Sequence, residues 1–333
     1  MDSSSPPPGR LPAPPSLLPA RPPSHLEELA AETRTFIQAS KADATRRAYG
    51  SDWRDFSTWC GRQGLASLPA SPATVAFYLT DLARDHKPAT LQRRLTAIAR
   101  AHEAAGHPSP ATMRQAVVSE TLKGIRRTYG IAQTVKRPLL TADLRRIVSG
   151  LPSDLQGARD RALLLVGFAG GFRRSELAAL EVRDLAFTAE GVAVTLRRSK
   201  GDQEGQGREV ALPVTGKKSF CPVLALKEWL RVAQIREGAV FRKVHGDWIG
   251  PSGLNANSVG RLVKRILGEV GYENLEAYGG HSLRAGFATQ AAMNGATELE
   301  IMEQTGHRSS QVLRRYIRAG QLFRAAAARK VWL

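Results

Sequence analysis

The sequence predicts a mainly α protein of two domains, an all-α N-terminal domain and a mostly helical C-terminal domain with one small antiparallel β-sheet. Three observations predict it. Apolar residues recur at helical spacing through residues 25–130, with no strand-like alternation. β-Branched alternation is confined to VAVTLRR (192–198) and EVALPV (209–214), on either side of the polar, glycine-rich GDQEGQG (201–207). The chain's 333 residues, 42% of them hydrophobic, suffice for two buried cores.

Nine of the 19 prolines fall in the first 23 residues, so residues 1–24 read as a disordered or polyproline-like arm. Tyr49, Trp53, Phe56 and Cys60 then stand at steps of three or four, one face of a helix. Ser71 caps a helix that Pro72 opens; Pro88 and Pro110 open two more, and Gly106 and Gly130 close them. The domain at 25–130 therefore holds about five helices. Residues 131–140 read as a linker, with Lys136-Arg137 ahead of Pro138, and Thr141 caps the first helix of a domain at 141–333. Helices are expected at 141–150, 154–169 and 173–181, followed by a hairpin with a long mobile tip. Residues 239–242 are a candidate third strand, and further helices are expected at 222–237, 257–270, 281–294, 297–305, 309–318 and about 320–333.

Charge narrows the function. The chain carries 48 Lys+Arg against 30 Asp+Glu, a net +18, with a pI near 10.6. Only +1 lies in residues 1–24, against +7 in 25–137 and +10 in 138–333. An excess carried by both domains points to a polyanion gripped from two sides, nucleic acid before a membrane surface; a solubilising surface is the ordinary alternative. The basic pairs Arg46-Arg47, Arg93-Arg94, Arg126-Arg127 and Lys136-Arg137 are candidate DNA contacts. Two distant cysteines, Cys60 and Cys221, exclude a disulfide-built scaffold. No apolar run approaches the ~20 residues of a membrane span. The first residues lack the basic and apolar regions of a signal peptide, so a cytoplasmic, nucleoid-associated protein is expected.

Four local features carry chemistry. In GGFRRSELAAL (170–180), Arg173 and Glu176 are three residues apart on one helical face. Lys200 ends the first hairpin strand. In GGHSLRAGFAT (279–289), His281 and Arg284 are again one turn apart, and TGHRSSQVLRRYIR (305–318) places His307 before a helix that contains Tyr316. Alone, each has an ordinary explanation: a surface ion pair, a solvated lysine, a helix-face pair, a core aromatic. Together they are what phosphoryl transfer at a phosphodiester needs without a metal. Arginine forks bind the non-bridging oxygens and stabilise charge growing in the transition state. A tyrosine hydroxyl can attack phosphorus and form a covalent ester, a lysine can protonate the leaving sugar oxygen, and histidines can donate to the phosphate or take the tyrosine proton. Because the ester conserves the bond, religation requires no nucleotide.

The order Arg-x-x-Glu, hairpin Lys, His-x-x-Arg, Gly-His, Tyr resembles the signature of the tyrosine recombinase/phage integrase family over about residues 25–333, and the C-terminal segment looks closest to the Cre subgroup. The resemblance implies that Arg173 and Arg284 clamp the scissile phosphate and that Tyr316 forms a 3′-phosphotyrosyl link. It makes Lys200 the general acid, His281 a proton-transfer partner, His307 a phosphate ligand and Glu176 a support. It implies a core-binding domain at 25–130 and a catalytic domain at 141–333 clamped around double-stranded DNA with paired half-sites. It also implies a homotetramer on DNA from a monomer in solution, with the helix at about 320–333 exchanged between protomers, and no cofactor or metal. Two features depart from the commonest pattern: Ala285 stands where many members have a second histidine, and the hairpin tip is long and acidic (Asp202, Glu204). The rivals are a type IB topoisomerase or telomere resolvase with the same chemistry, a non-catalytic DNA-binding protein, and a metal-dependent nuclease. The last is the weakest, since there is no Cys-x-x-Cys pair and the histidines sit among arginines.

Overall fold

Helical periodicity and proline placement together lay out the first half of the chain in the computed structural model, which describes residues 24–40, 42–131, 136–197, 207–307, 309–310, 313–314 and 316–317. The contacts divide the chain into two units, residues 1–133 and 134–333. The proline-rich arm up to residue 23, Lys200 with the hairpin tip at 198–206, and the helix expected at about 320–333 lie outside the described residues.

The first unit has the five helices expected: α1 (Ser24–Ala39), α2 (Asp43–Arg62), α3 (Pro72–Leu82), α4 (Pro88–Ala104) and α5 (Ala116–Tyr129). Trp53, Phe56 and Cys60 on α2 are buried against Val75, Tyr78 and Leu79 of α3, Leu91, Leu95 and Ile98 of α4, and Val118 and Leu122 of α5. Ser71 caps α3 by accepting the Thr74 N–H at 3.0 Å, with Pro72 in the first turn. Pro88 opens α4 as expected. Pro110 does not open a helix. Ala111 N–H donates to Ser109 Oγ at 3.3 Å and Gln115 N–H to Thr112 O at 3.1 Å, so the backbone turns before α5 starts at Ala116.

The second unit begins inside the expected linker. Leu139 is fully buried and its N–H donates to Ser282 O at 3.1 Å, while Arg137 N–H donates to Ala277 O at 2.8 Å. Residues 136–140 are thus packed chain rather than a spacer. Thr141 is the first helical residue of α6 (Thr141–Ser149), not its cap; Leu140 holds the cap position, and the Asp143 carboxylate accepts its N–H at 2.8 Å. Then follow α7 (Leu155–Ala169) and the short α8 (Arg174–Ala178). Helix α7 is apolar on several sides, with Ala162, Leu163, Leu164, Leu165 and Val166 all buried, as the central element of a core must be.

Strands β1 (Leu185–Phe187), β2 (Gly191–Leu196) and β3 (Arg208–Pro213) form one antiparallel sheet in that order. The expected hairpin is β2–β3, with Val192 opposite Leu212, Val194 opposite Val210 and Leu196 opposite Arg208. The third strand is β1, not residues 239–242. Ala239 makes only an isolated bridge to Glu181, and Arg242 starts β4 (Arg242–His245), which pairs with β5 (Trp248–Gly253) in a separate two-stranded sheet. Between the sheets lies α9 (Pro222–Val232), shorter than expected because Gln234 adopts φ +53°. Helices α10 (Ala256–Glu269), α11 (His281–Met293) and α12 (Glu298–Thr305) fall within a residue or so of their expected bounds. Leu313, Arg314, Tyr316 and Ile317 are also helical.

Candidate active site

Arginines 173 and 284, the two expected phosphate ligands, are drawn together by backbone carbonyls, and the elements that hold them come from far apart in sequence. Arg173 sits at the N-cap position of α8. Glu176, only 4% exposed, accepts the Arg173 backbone N–H at 2.8 Å and Nη1 of its guanidinium at 2.5 Å, while Arg173 Nη2 donates to Gly306 O at 3.0 Å. The Arg-x-x-Glu pair is therefore a partly buried fixture at the start of α8 rather than a solvated surface pair. One turn into α11, Arg284 is 1% exposed; its Nη1 donates to Gly171 O at 2.7 Å and to Thr305 O.

A third guanidinium completes the cluster. Arg208 opens β3 on the inward side of the sheet, in line with buried Val210 and Leu212. Its Nη1 donates to Gln304 O at 3.0 Å and Glu303 O at 3.3 Å, its Nη2 to Thr305 O at 3.3 Å, and Nη2 lies 3.7 Å from Glu176 Oε2. The C-terminal carbonyls of α12 have no helical partner, and their partial negative charge suits cations. Gly306 ends α12 in the left-handed conformation at φ +65°, and a Cβ there would lie 2.6 Å from Arg208 Nε, so glycine is needed on both counts. Sequence reasoning missed Arg208. The usable signal was the R-x-V-x-L parity, which turns Arg208 to the same face as two core residues.

The remaining groups face this cluster. His281 Nε2 lies 2.7 Å from the Tyr316 hydroxyl, and His307 Nδ1 lies 2.7 Å from Thr305 Oγ1. Tyr316 is buried against Ala285, Ala288 and Leu313, and its ring lies 6.1 Å from that of His281 and 6.4 Å from that of His307. Six of the seven expected reaction-centre residues, Arg173, Glu176, His281, Arg284, His307 and Tyr316, are thus brought together; Lys200 lies outside the described residues.

Crowding of cations sets the electrostatics. Burial and then the charge of Arg173 pull Arg284 down to about 9, with Arg208 adding to the push and Glu176 opposing it. Burial first, then Arg284 and Arg173, hold His307 down at about 3. His281 keeps an exposed edge, yet loss of water around the ring and then Arg284, Arg173 and Arg174 lower it too. Two donors, Arg284 Nη2 and Arg208 Nε, are buried without a hydrogen-bond partner among the described residues. An unsatisfied buried donor costs about 1–3 kcal/mol, more when charged, a cost that an anion accepting from these donors would offset. Among the described residues no three His, Cys, Asp or Glu side chains converge as a metal site.

The expected DNA contacts divide. Arg46, Arg47, Arg126, Arg127 and Arg137 are exposed. Arg93 is half-exposed and grips Asp52 through two bonds of 2.8 and 2.9 Å. Arg94 is buried, its guanidinium held by Asp55 and Tyr78 inside the first unit, which removes it from the surface. Lys136 reaches Glu276 O, and the Arg137 guanidinium lies 5.7 Å from the centre of the Tyr278 ring.

Residues 137–321 match the phage integrase family. The chain is 40% identical over 311 residues to an integrase/recombinase xerD homolog of Selenomonas ruminantium, covering 92% of this chain and 90% of the relative. Recombinase cre of Escherichia phage P1 is 25% identical over 286 residues, covering 80% and 81%, so the likeness to Cre is present but lower than that to the xerD homolog. The solved structure of XerH site-specific recombinase bound to palindromic difH substrate, a post-cleavage complex, shares the fold. Its TM-score is 0.60 at 19% identity, covering 91% of this chain and 84% of that one.

Proposed function

The chain belongs to the phage integrase family, and from that premise we propose that Tyr316 is the nucleophile with which this site-specific DNA recombinase opens a strand. The Tyr316 hydroxyl passes its proton to His281 Nε2, 2.7 Å away, as its oxygen bonds to phosphorus. The bond from phosphorus to the 5′ oxygen breaks, and Lys200 supplies the proton that lets the oxygen leave as a hydroxyl. The 3′ side stays on Tyr316 as a phosphodiester, and attack by a 5′ hydroxyl reverses every step, so rejoining needs no nucleotide.

Arg173 and Arg284 grip the two non-bridging oxygens, Glu176 orients Arg173, and His307 donates to the phosphate. The single observation carrying this reading is the buried Arg284 Nη2, without a hydrogen-bond partner among the described residues, in a cluster that also holds the Tyr316–His281 pair. Residues 25–130 serve as the core-binding domain, and Arg46, Arg47, Arg126, Arg127 and Arg137 contact the DNA backbone. The substrate is double-stranded DNA with paired half-sites, a reading supported by the palindromic substrate of XerH, and four protomers act together on it. The chain works in the cytoplasm on the nucleoid; no described helix is long and apolar enough to cross a membrane.

A nicked substrate whose short 5′ fragment diffuses away after cleavage tests this. The wild-type chain in excess EDTA traps a DNA adduct at its 3′ end, and Tyr316→Phe binds the DNA without forming one. An adduct with Tyr316→Phe would remove Tyr316 from the reaction.

A further inference from the structure

Thr305, the last residue of α12, is fully buried, and its hydroxyl meets two groups. Oγ1 lies 2.5 Å from the Ile301 carbonyl oxygen and 2.7 Å from His307 Nδ1. A carbonyl oxygen only accepts, and a hydroxyl owns one hydrogen. Two oxygens this close repel unless that hydrogen lies between them, so the Thr305 hydrogen points at Ile301. Thr305 then has only a lone pair for His307, and Nδ1 must supply the hydrogen. Arg284 and His281 from α11, Arg173 ahead of α8 and Arg208 from β3 all face the ring; with burial they hold it at about 3, so it is neutral at rest. A neutral imidazole has one N–H. Here that is Nδ1–H, and Nε2 carries a bare lone pair.

A bare Nε2 cannot donate to a phosphate oxygen, because the two would meet lone pair to lone pair. We infer that Thr305 is a positioning residue for the recombination reaction: by holding His307 in the Nδ1–H form, it obliges the ring to take up one proton when the scissile phosphate enters. The step is balanced by solvent. One proton leaves the buffer and bonds to Nε2, giving an imidazolium that donates from Nε2 to the phosphate and from Nδ1 to Thr305. Uptake accompanies binding because the incoming anion offsets the charges of Arg173, Arg208 and Arg284 that otherwise keep the ring neutral. When the phosphate leaves, the proton returns to solvent. This inference rests on the assignment of the phosphate site made above.

Nitrogen-15 histidine spectra of the full-length protein test the tautomer without any chemistry. The signal of His307 is identified by its loss in His307→Gln. At neutral pH the wild type is expected to show the Nδ1–H pattern, Thr305→Val the Nε2–H pattern, and Thr305→Ser the wild-type pattern. An Nε2–H signal in the wild type overturns the inference, whether or not any variant folds well. Single-turnover cleavage of the nicked substrate then tests the coupling. The wild-type rate should fall about tenfold per pH unit on its alkaline side as the His307 cation is lost. Thr305→Val should fall less, since its neutral ring can already donate from Nε2, and Thr305→Ser should follow the wild type. Parallel wild-type and valine profiles would overturn the coupling. A wild type that forms no adduct would refute the phosphate-site assignment, while the spectra would still decide the tautomer.

Discussion

Arg284 shows how completely a single charged side chain can be fixed by its surroundings. Its charge is almost wholly out of water, one nitrogen is tied to Gly171 and Thr305, and the other has no partner among the described residues. Arg284→Ala should lower the rate of adduct formation by about 10²-fold or more, as for other preorganised anion donors, while the protein still shifts DNA on a gel. An unchanged rate would take Arg284 out of the site. Its place beside Arg173 was legible in the sequence, because His281 and Arg284 belong to a set of reactive residue types whose order resembles a known family. Thr305 was not legible. Its hydroxyl matters only because Gly306 turns the chain so that His307 comes back against it, a contact no periodicity encodes.

Elements position these residues through a few close approaches. Arg208 ties β3 to the end of α12 across 95 to 97 positions of sequence. Arg208→Met keeps an unbranched aliphatic stem but leaves the α12 carbonyls without their cation, at a cost of about 1–3 kcal/mol. A urea titration should show that loss and the adduct assay should show slower cleavage; full activity would make Arg208 a bystander. Helix α11 is held as tightly. A Cβ on Gly286 would lie 1.8 Å from Leu139 O, so Gly286→Ala must push α11 away from the segment before α6. Overpacking of this kind costs about 1–3 kcal/mol, and a lowered thermal midpoint should report it. At this scale the helices were legible from apolar spacing and proline position, and the hairpin from β-branched alternation around a glycine-rich tip. The β4–β5 pair was not, because Arg242–His245 holds one apolar residue, Val244, and in Trp248–Gly253 the apolar Trp248 and Ile249 are adjacent, so neither reads as apolar alternation. Pro110 misled for a related reason: a proline that suits a first helical turn suits a tight turn equally well.

Across the whole molecule, three buried clusters are divided between the two units: one of aromatic and aliphatic side chains from α2 to α5 in the first, and in the second one built around α7 and a smaller one joining α11 and α12 to Leu313 and Tyr316. The net charge of +18 is carried by both, but it is not all available to a ligand. Arg94 is consumed inside the first unit, and Arg173, Arg208 and Arg284 are held by carbonyls of the second. Binding should therefore weaken with salt by about 0.9 in log K per log unit of salt for each phosphate neutralised. Arg126→Ala should flatten that slope in a filter-binding titration; an identical slope would place Arg126 away from the DNA.

The order of the chain adds a consequence in time. Arg173 precedes by 133 positions the Gly306 carbonyl that holds it, and Arg208 comes well before the α12 carbonyls it caps. As a ribosome extrudes the protein, the cations emerge first, and α12, His307 and Tyr316 follow. A nascent chain halted before Glu298 has neither the carbonyls that order the guanidinium groups nor the hydroxyl of Tyr316, the proposed nucleophile. With Tyr316 as the proposed nucleophile, the order of synthesis itself would keep an unfinished recombinase from cutting DNA.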